Sequence, residues 1–261
     1  MATFEIELCD SANFDERVSG QKPDLLLLHY TNMTSATEAI DWLCNPQSRV
    51  SCHYLIAENG QITQMVDEEH RAWHAGNSFW AGQSDINSCS IGIEIANAGP
   101  DQGYPSFPDI QMEAVETLCH DIFSRHDISP ERVLAHSDVA PDRKQDPGEK
   151  FDWQRLYQAG IGLWVAPTPI DEGEALKVGD TSKHILNLQS TLSSYGYQVS
   201  ITGTYDKLTR YAVIAFQRHF RQTRVDGVAD FSTLQTLYNL LQVLEDSKQT
   251  PTSPPASVVA R

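Results

Sequence analysis

"DLLLLHYT", residues 24–31, decides the fold. A strand with one wet face alternates apolar and polar residues, whereas a strand covered on both faces reads as an unbroken apolar run. Four leucines in a row, followed by His29, Tyr30 and Thr31, therefore predict a central buried strand that ends in polar side chains. Its neighbours in sequence fit that frame. "SATEAIDWLCN" (35–45) has helical spacing, opened by Thr34 or Ser35. "VSCHYLIAENGQITQMV" (50–66) reads as two strands turning at Asn59-Gly60. "SIGIEIAN" (90–97) alternates, with Ile91, Ile93 and Ile95 on one face and Gly92, Glu94 and Ala96 on the other. "DIQMEAVETLCHDIFSRHD" (109–127) is a helix, "RVLAHSD" (132–138) a short strand, and "FDWQRLYQAG" (151–160) a helix stopped by Gly160. Strands and helices intermingle, which predicts an α/β domain over residues 1–165: a mixed central sheet flanked by helices.

Residues 166–174, "APTPIDEGE", are proline-rich and acidic, the composition of a linker. Beyond them the pattern turns helical. "TGTYDKLTRYAVIAF" (202–216) and "DGVADFSTLQTLYNL" (226–240) share G-x-x-D-x-x-T before helical apolar spacing. The glycine turns the chain, and the aspartate caps the helix or a tight turn before it. With "SKHILNLQSTLSSYG" (182–196) they predict a second, small three-helix domain over 175–243. The Pro/Ser/Thr-rich stretch 244–261 reads as a disordered tail.

The net charge of -16 repels polyanions, which argues against a nucleic-acid partner. No apolar run is long enough to span a membrane. The five cysteines are odd in number and form no C-x-x-C pair, as expected of free thiols in a reducing compartment. The N-terminus has no basic start leading into an apolar run, so the expected location is the cytoplasm, with the periplasm or cell envelope as the alternative. Oligomeric state is not legible.

The chemistry-bearing residues gather at strand ends and in "HSDVAPDRKQDPG" (136–148), whose prolines predict a stiff loop that is neither helix nor strand. His29 and His136 each end a strand, and Asp146 lies ten residues past His136. Two imidazoles and a carboxylate can hold zinc and leave a fourth position for water. From spacing alone, two hydrogen-bonded core histidines and a loop cap are the favoured reading. Glu94 adds weight, because an acid inside an apolar strand, flanked on its face by Gly92 and Ala96, is costly unless it is paired or used. Near a zinc-bound water it can act as acid/base. Lys144, two residues before Asp146, points the same way on an extended loop and suits a developing oxyanion; its alternative is a solvated lysine pairing with Asp142 or Asp146.

Taken together, "LLLLHYT", "CHYLI", "RAWHAG", "SIGIEIAN" and above all "AHSDVAPDRKQDPGEKFDW" resemble the zinc-dependent N-acetylmuramoyl-L-alanine amidases, over about residues 20–160. That resemblance implies zinc held by His29, His136 and Asp146, Glu94 as the catalytic acid/base, and Lys144 stabilising the transition state. It implies a peptidoglycan or muropeptide substrate, cut between the lactyl group of N-acetylmuramic acid and L-alanine. It also places Trp73, His74 and Gly76 near the substrate groove and Asn97 within reach of the peptide stem. His53 is expected to be structural, and His70, His120, His126, His184 and His219 to be surface or helix residues. The second region resembles the type 1 peptidoglycan-binding domain. The competing readings are a noncatalytic peptidoglycan-recognition protein and a zinc peptidase; the latter lacks an H-E-x-x-H helix.

Overall fold

A computed structural model describes residues 5–249. In chain order its strands are β1 (Ile6–Leu8), β2 (Phe14–Glu16), β3 (Leu25–Tyr30), β4 (Tyr54–Ile56), β5 (Ile62–Gln64), β6 (His70–Ala72), β7 (Ser90–Ile95) and β8 (Val133–Ala135). Its helices are α1 (Ala36–Leu43), α2 (Ile86–Cys89), α3 (Asp109–Phe123), α4 (His136–Val139), α5 (Trp153–Gln158), α6 (Lys183–Tyr195), α7 (Lys207–Phe220) and α8 (Phe231–Gln249). Six strands form one sheet in the order β1-β5-β4-β7-β3-β8, parallel except at the β4–β5 turn, while β2 and β6 pair separately. The leucine run is β3, buried along its whole length and flanked by β7 and β8.

Each face of the sheet has its own cover. Leu26, Leu28, Ile91, Ile93 and Ile95 pack against Met112, Val115, Leu118 and Ile122 of α3. On the other face Leu55 and Ala96 meet Ala36, Ala39 and Leu43 of α1. Beside them Leu25, Leu27 and Leu134 share one apolar cluster with Leu192, Phe216 and Leu240 of the C-terminal helices. That region is thus the sheet's second cover over β3 and β8. Residues 166–174 do not free it, since Thr168 is bonded at both its N–H and its carbonyl to Thr236 and Ser232 of α8.

The repeated G-x-x-D-x-x-T has a physical cause. Asp206 accepts from the N–H and hydroxyl of Thr209, and Asp230 does the same for Thr233, so each aspartate caps its helix. A glutamine on the preceding helix clamps each turn. Gln189 accepts from the N–H groups of Thr202 and Gly203, and Gln217 from those of Asp226 and Gly227. These polar groups satisfy one another inside the fold.

Two expectations need correction. The tail does not begin at 244: α8 continues to Gln249, because Leu244 extends the apolar face of Leu237 and Leu240 and is buried. Residues 250–261 lie outside the described residues. The strand read over 132–138 ends at Ala135, and His136–Val139 is one helical turn rather than loop, with Asp138 accepting from the N–H of Ala135. Among the described residues no helix is long and apolar enough to cross a membrane.

Candidate metal centre

Parallel pairing sets His29 directly opposite Glu94 across β3 and β7. It sets Ala135 opposite Leu28, so His136, the next residue on β8's side, arrives beside His29. Three carboxyl-terminal strand ends therefore meet at one edge, where sites form in open α/β sheets. The chain after α4 turns back on itself, with the N–H groups of Arg143 and Lys144 both donating to the Ala140 carbonyl. The 140–144 segment is a tight turn, not the extended loop expected from sequence, yet Lys144 still reaches the site cavity. Asp146 is anchored by its carbonyl, which accepts from the N–H of Ser137.

At the centre His29 Nδ1 lies 2.9 Å from His136 Nδ1 and 3.0 Å from Asp146 Oδ2, and His136 Nδ1 lies 2.9 Å from the same oxygen. The outer hydrogen bonds settle which nitrogens carry hydrogen. His136 Nε2 faces the Ala75 carbonyl at 3.1 Å, which can only accept, so Nε2 is the donor and, in the neutral ring that binds a metal, Nδ1 is bare. For His29 the logic runs through two partners. The Ser90 hydroxyl donates to the Ile86 carbonyl at 2.6 Å and so accepts from His74 Nε2 at 3.2 Å. His74 Nδ1 must then accept from His29 Nε2 at 3.1 Å, and His29 Nδ1 is bare as well. Burial, reinforced by His136, lowers the pKa of His29 to about 4, so it is neutral at physiological pH. Three acceptors thus converge with no hydrogen among them, an arrangement that a cation stabilises.

Gly92 and Glu94 share the face of β7 beneath this cluster. A Cβ on Gly92 would stand 2.5 Å from the His74 ring, so the absent side chain is what lets His74 sit under His29. Glu94 lines the cavity, and its Oε2 is buried without a hydrogen-bond partner. Burial, then the charge of Asp146, raises its pKa well above the ordinary value, against the opposing pull of Lys144.

The cavity above the centre measures about 360 Å³ and is walled by Trp42, Trp73, Tyr30 and Arg143 as well as Glu94 and Lys144. Of the residues expected near the substrate, Trp73 borders the cavity, its indole N–H bonded to Asp15. His74 is spent on orienting His29. Gly76, at φ +59°, lies against the Arg143 guanidinium, which bonds the carbonyls of Ala75 and Asn77 and so ties the "RAWHAG" loop to the "PDRK" turn. Asn97 does not line the cavity: its amide donates to the Pro105 carbonyl and its oxygen accepts from the N–H of Gly99. His53 accepts from the N–H of Gly92, outside the metal set. His219 lies in helix α7, within the surface-or-helix expectation, and is buried against Asp138 and Trp153. Sequence reading missed the roles of Ser90 and Arg143. Both act largely through backbone carbonyls, which carry no residue-type signature.

The donor set fits zinc. Two imidazole nitrogens and one carboxylate oxygen is a ligand set zinc favours, and a tetrahedral ion with bonds of about 2.0–2.2 Å spaces its ligands by roughly 3.3 Å. Each histidine also has its far nitrogen fixed by an acceptor, as metal-binding histidines do.

Residues 19–149 match the N-acetylmuramoyl-L-alanine amidase family model, and residues 181–237 match a peptidoglycan binding domain. The chain is 37% identical over 230 residues to the N-acetylmuramoyl-L-alanine amidase AmiD of Escherichia coli, covering 84% of this chain and 82% of that protein. It is 34% identical over 167 residues to the 1,6-anhydro-N-acetylmuramyl-L-alanine amidase AmpD of Haemophilus influenzae, covering 57% of this chain and 89% of that one. A structure of Escherichia coli AmiD, with the substrate anhydro-N-acetylmuramic acid-L-Ala-D-gamma-Glu-L-Lys, superposes with a TM-score of 0.72 at 35% identity, covering 88% of this chain and 92% of that one. AMPDH3 of Pseudomonas aeruginosa, in complex with anhydromuramic pentapeptide, gives 0.72 at 31% identity, covering 94% and 99%.

Proposed function

This chain belongs to the N-acetylmuramoyl-L-alanine amidase family, and from that premise we propose that it hydrolyses the bond between the lactyl carbonyl of N-acetylmuramic acid and L-alanine, with zinc held by His29, His136 and Asp146. The observation that carries the reading is the convergence of three bare acceptors beside the unpartnered Glu94 oxygen. Zinc, when bound, supplies Lewis acidity toward the lactyl carbonyl and toward water.

The protein's own groups do the rest. Glu94 takes a proton from the attacking water on a carboxylate oxygen and delivers it to the departing nitrogen of L-alanine. Lys144, on the cavity wall, meets the negative charge that develops on the carbonyl oxygen. Trp42 and Trp73 offer apolar walls to the sugar and lactyl groups, while Arg143 holds the loop that bears Trp73.

The relatives solved with anhydro-muropeptides favour an anhydro-N-acetylmuramoyl peptide as substrate. The match of the helical region to a peptidoglycan binding domain adds intact peptidoglycan as a second form. Zinc-loaded protein should release the stem peptide with a free L-alanine amine from both anhydro-muropeptide and sacculi, read by mass spectrometry. Chelation should stop the release and added zinc restore it. Metal-independent cleavage, or cleavage within the peptide, would overturn the assignment.

A further inference from the structure

Away from the metal centre, two sulfurs from distant parts of the chain face each other. Cys9 comes just after the edge strand β1 and Cys44 caps the C-terminal end of α1, 35 residues later, with their Sγ atoms 3.1 Å apart. Nonbonded sulfurs normally keep roughly 3.6 Å, while a disulfide closes them to about 2.05 Å. The apposition is held by backbone stitching on both sides. The Cys44 thiol donates to the Cys9 carbonyl, the Ser11 hydroxyl to the Leu43 carbonyl at 2.6 Å, and the Asn13 amide to the carbonyls of Asn45 and Val50. Cys52, Cys89 and Cys119 are buried, whereas Cys9 and Cys44 are both partly exposed.

We propose that Cys9 and Cys44 are a cross-linking pair, forming a disulfide that ties the segment after β1 to the end of α1. The oxidant is another disulfide, either a small molecule such as oxidised glutathione or a thiol–disulfide oxidoreductase. The Cys9 thiolate attacks it, forms a mixed disulfide and expels one thiol. The Cys44 sulfur then attacks the Cys9 sulfur and expels the second. Two protein thiols and one external disulfide become one protein disulfide and two external thiols, the electron pair passing to the oxidant. Burial and the neighbouring Cys9 push the Cys44 thiol up to about 12, making this second step the slow one.

The consequence reaches the site, because Ala39, Trp42 and Leu43 of α1 wall the cavity. The link would fasten that wall at its C-terminal end without touching a catalytic group. It also requires an oxidising compartment.

The test uses the full zinc-loaded chain, incubated with oxidised glutathione at mildly alkaline pH, acid-quenched and mapped without reduction. Expected are a loss of two hydrogens in mass, one peptide pair joined through Cys9 and Cys44, and a fall from five titratable thiols to three in denaturant. The melting temperature should rise by several degrees and return on reduction, and Cys9→Ser or Cys44→Ser should abolish both changes. Glutathione persisting on Cys9, cross-links through another cysteine, or an unchanged mass would overturn the proposal.

Discussion

Two buried aspartates lie eight residues apart, each against histidine, and they do opposite things. Asp138 is saturated with donors: the Tyr197 hydroxyl at 2.6 Å, the His219 Nδ1–H at 2.7 Å and the Ala135 N–H at 2.9 Å. Asp146 faces two imidazole nitrogens that the outer hydrogen bonds have stripped of hydrogen. In the first cluster the carboxylate's lone pairs are met by donors of the protein itself, and it joins the helical region to the turn after β8. The second has negative charge and lone pairs without hydrogens, and it is complete only with a cation. Residue types do not separate them. What separates them is which histidine nitrogen the rest of the fold has already engaged.

The comparison is broken most sharply at the ligands. His136→Ala or Asp146→Ala should abolish both zinc binding and amide hydrolysis, measured as metal stoichiometry and peptide release. Glu94→Gln should retain zinc and lose turnover by roughly 10²–10⁴-fold, the usual scale for a general acid–base group; retained turnover would remove Glu94 from the mechanism. His74→Phe fills the space but cannot accept from His29, and should weaken zinc by about 10–100-fold in chelator competition. His74→Gln, which can accept and donate as the imidazole does, should recover most of that loss.

Asp138→Ala sharpens the contrast from the other side. Leaving the buried partners without their acceptor costs about 3–5 kcal/mol, lowering the melting temperature by roughly 10 °C. Zinc should still bind one to one, since no ligand is lost.

The smallest effect is in pH. Burial lowers His29 to about 4 and His53 to about 3, below the ordinary value of 6.5. The unfolded chain therefore binds protons first, and the metal-free protein should lose stability as pH falls from 6.5 toward 4 and below. Urea midpoints across that range in the presence of chelator would show the slope, and His53→Gln should flatten part of it.

Much of this was legible from residue order. The leucine run and the alternating 90–97 segment place β3 and β7, because burial on one or two faces leaves a period in the chain. Gly92 flanking Glu94 marked the open face, although what fills it is His74. The D-x-x-T repeats announced their own caps, since a capping aspartate acts on residues three positions away. Less legible was anything carried by long-range packing. His219 has no partner nearby in sequence, so its burial against Asp138 could not be read there. The stop of β8 at Ala135 and the turn at 140–144 depend on hydrogen bonds to main-chain atoms, which look alike in every residue.

By itself, the sequence determined the α/β class, the three-helix second region and the set of side chains from which a zinc centre can be built, because those arise from local periodicity and side-chain chemistry. Only the tertiary structure decided that the helical region is a cover of the sheet, that His74 serves His29, that Asn97 serves its own loop, and that Cys9 meets Cys44. Each depends on surfaces and hydrogen-bond directions that exist only once distant segments have packed together.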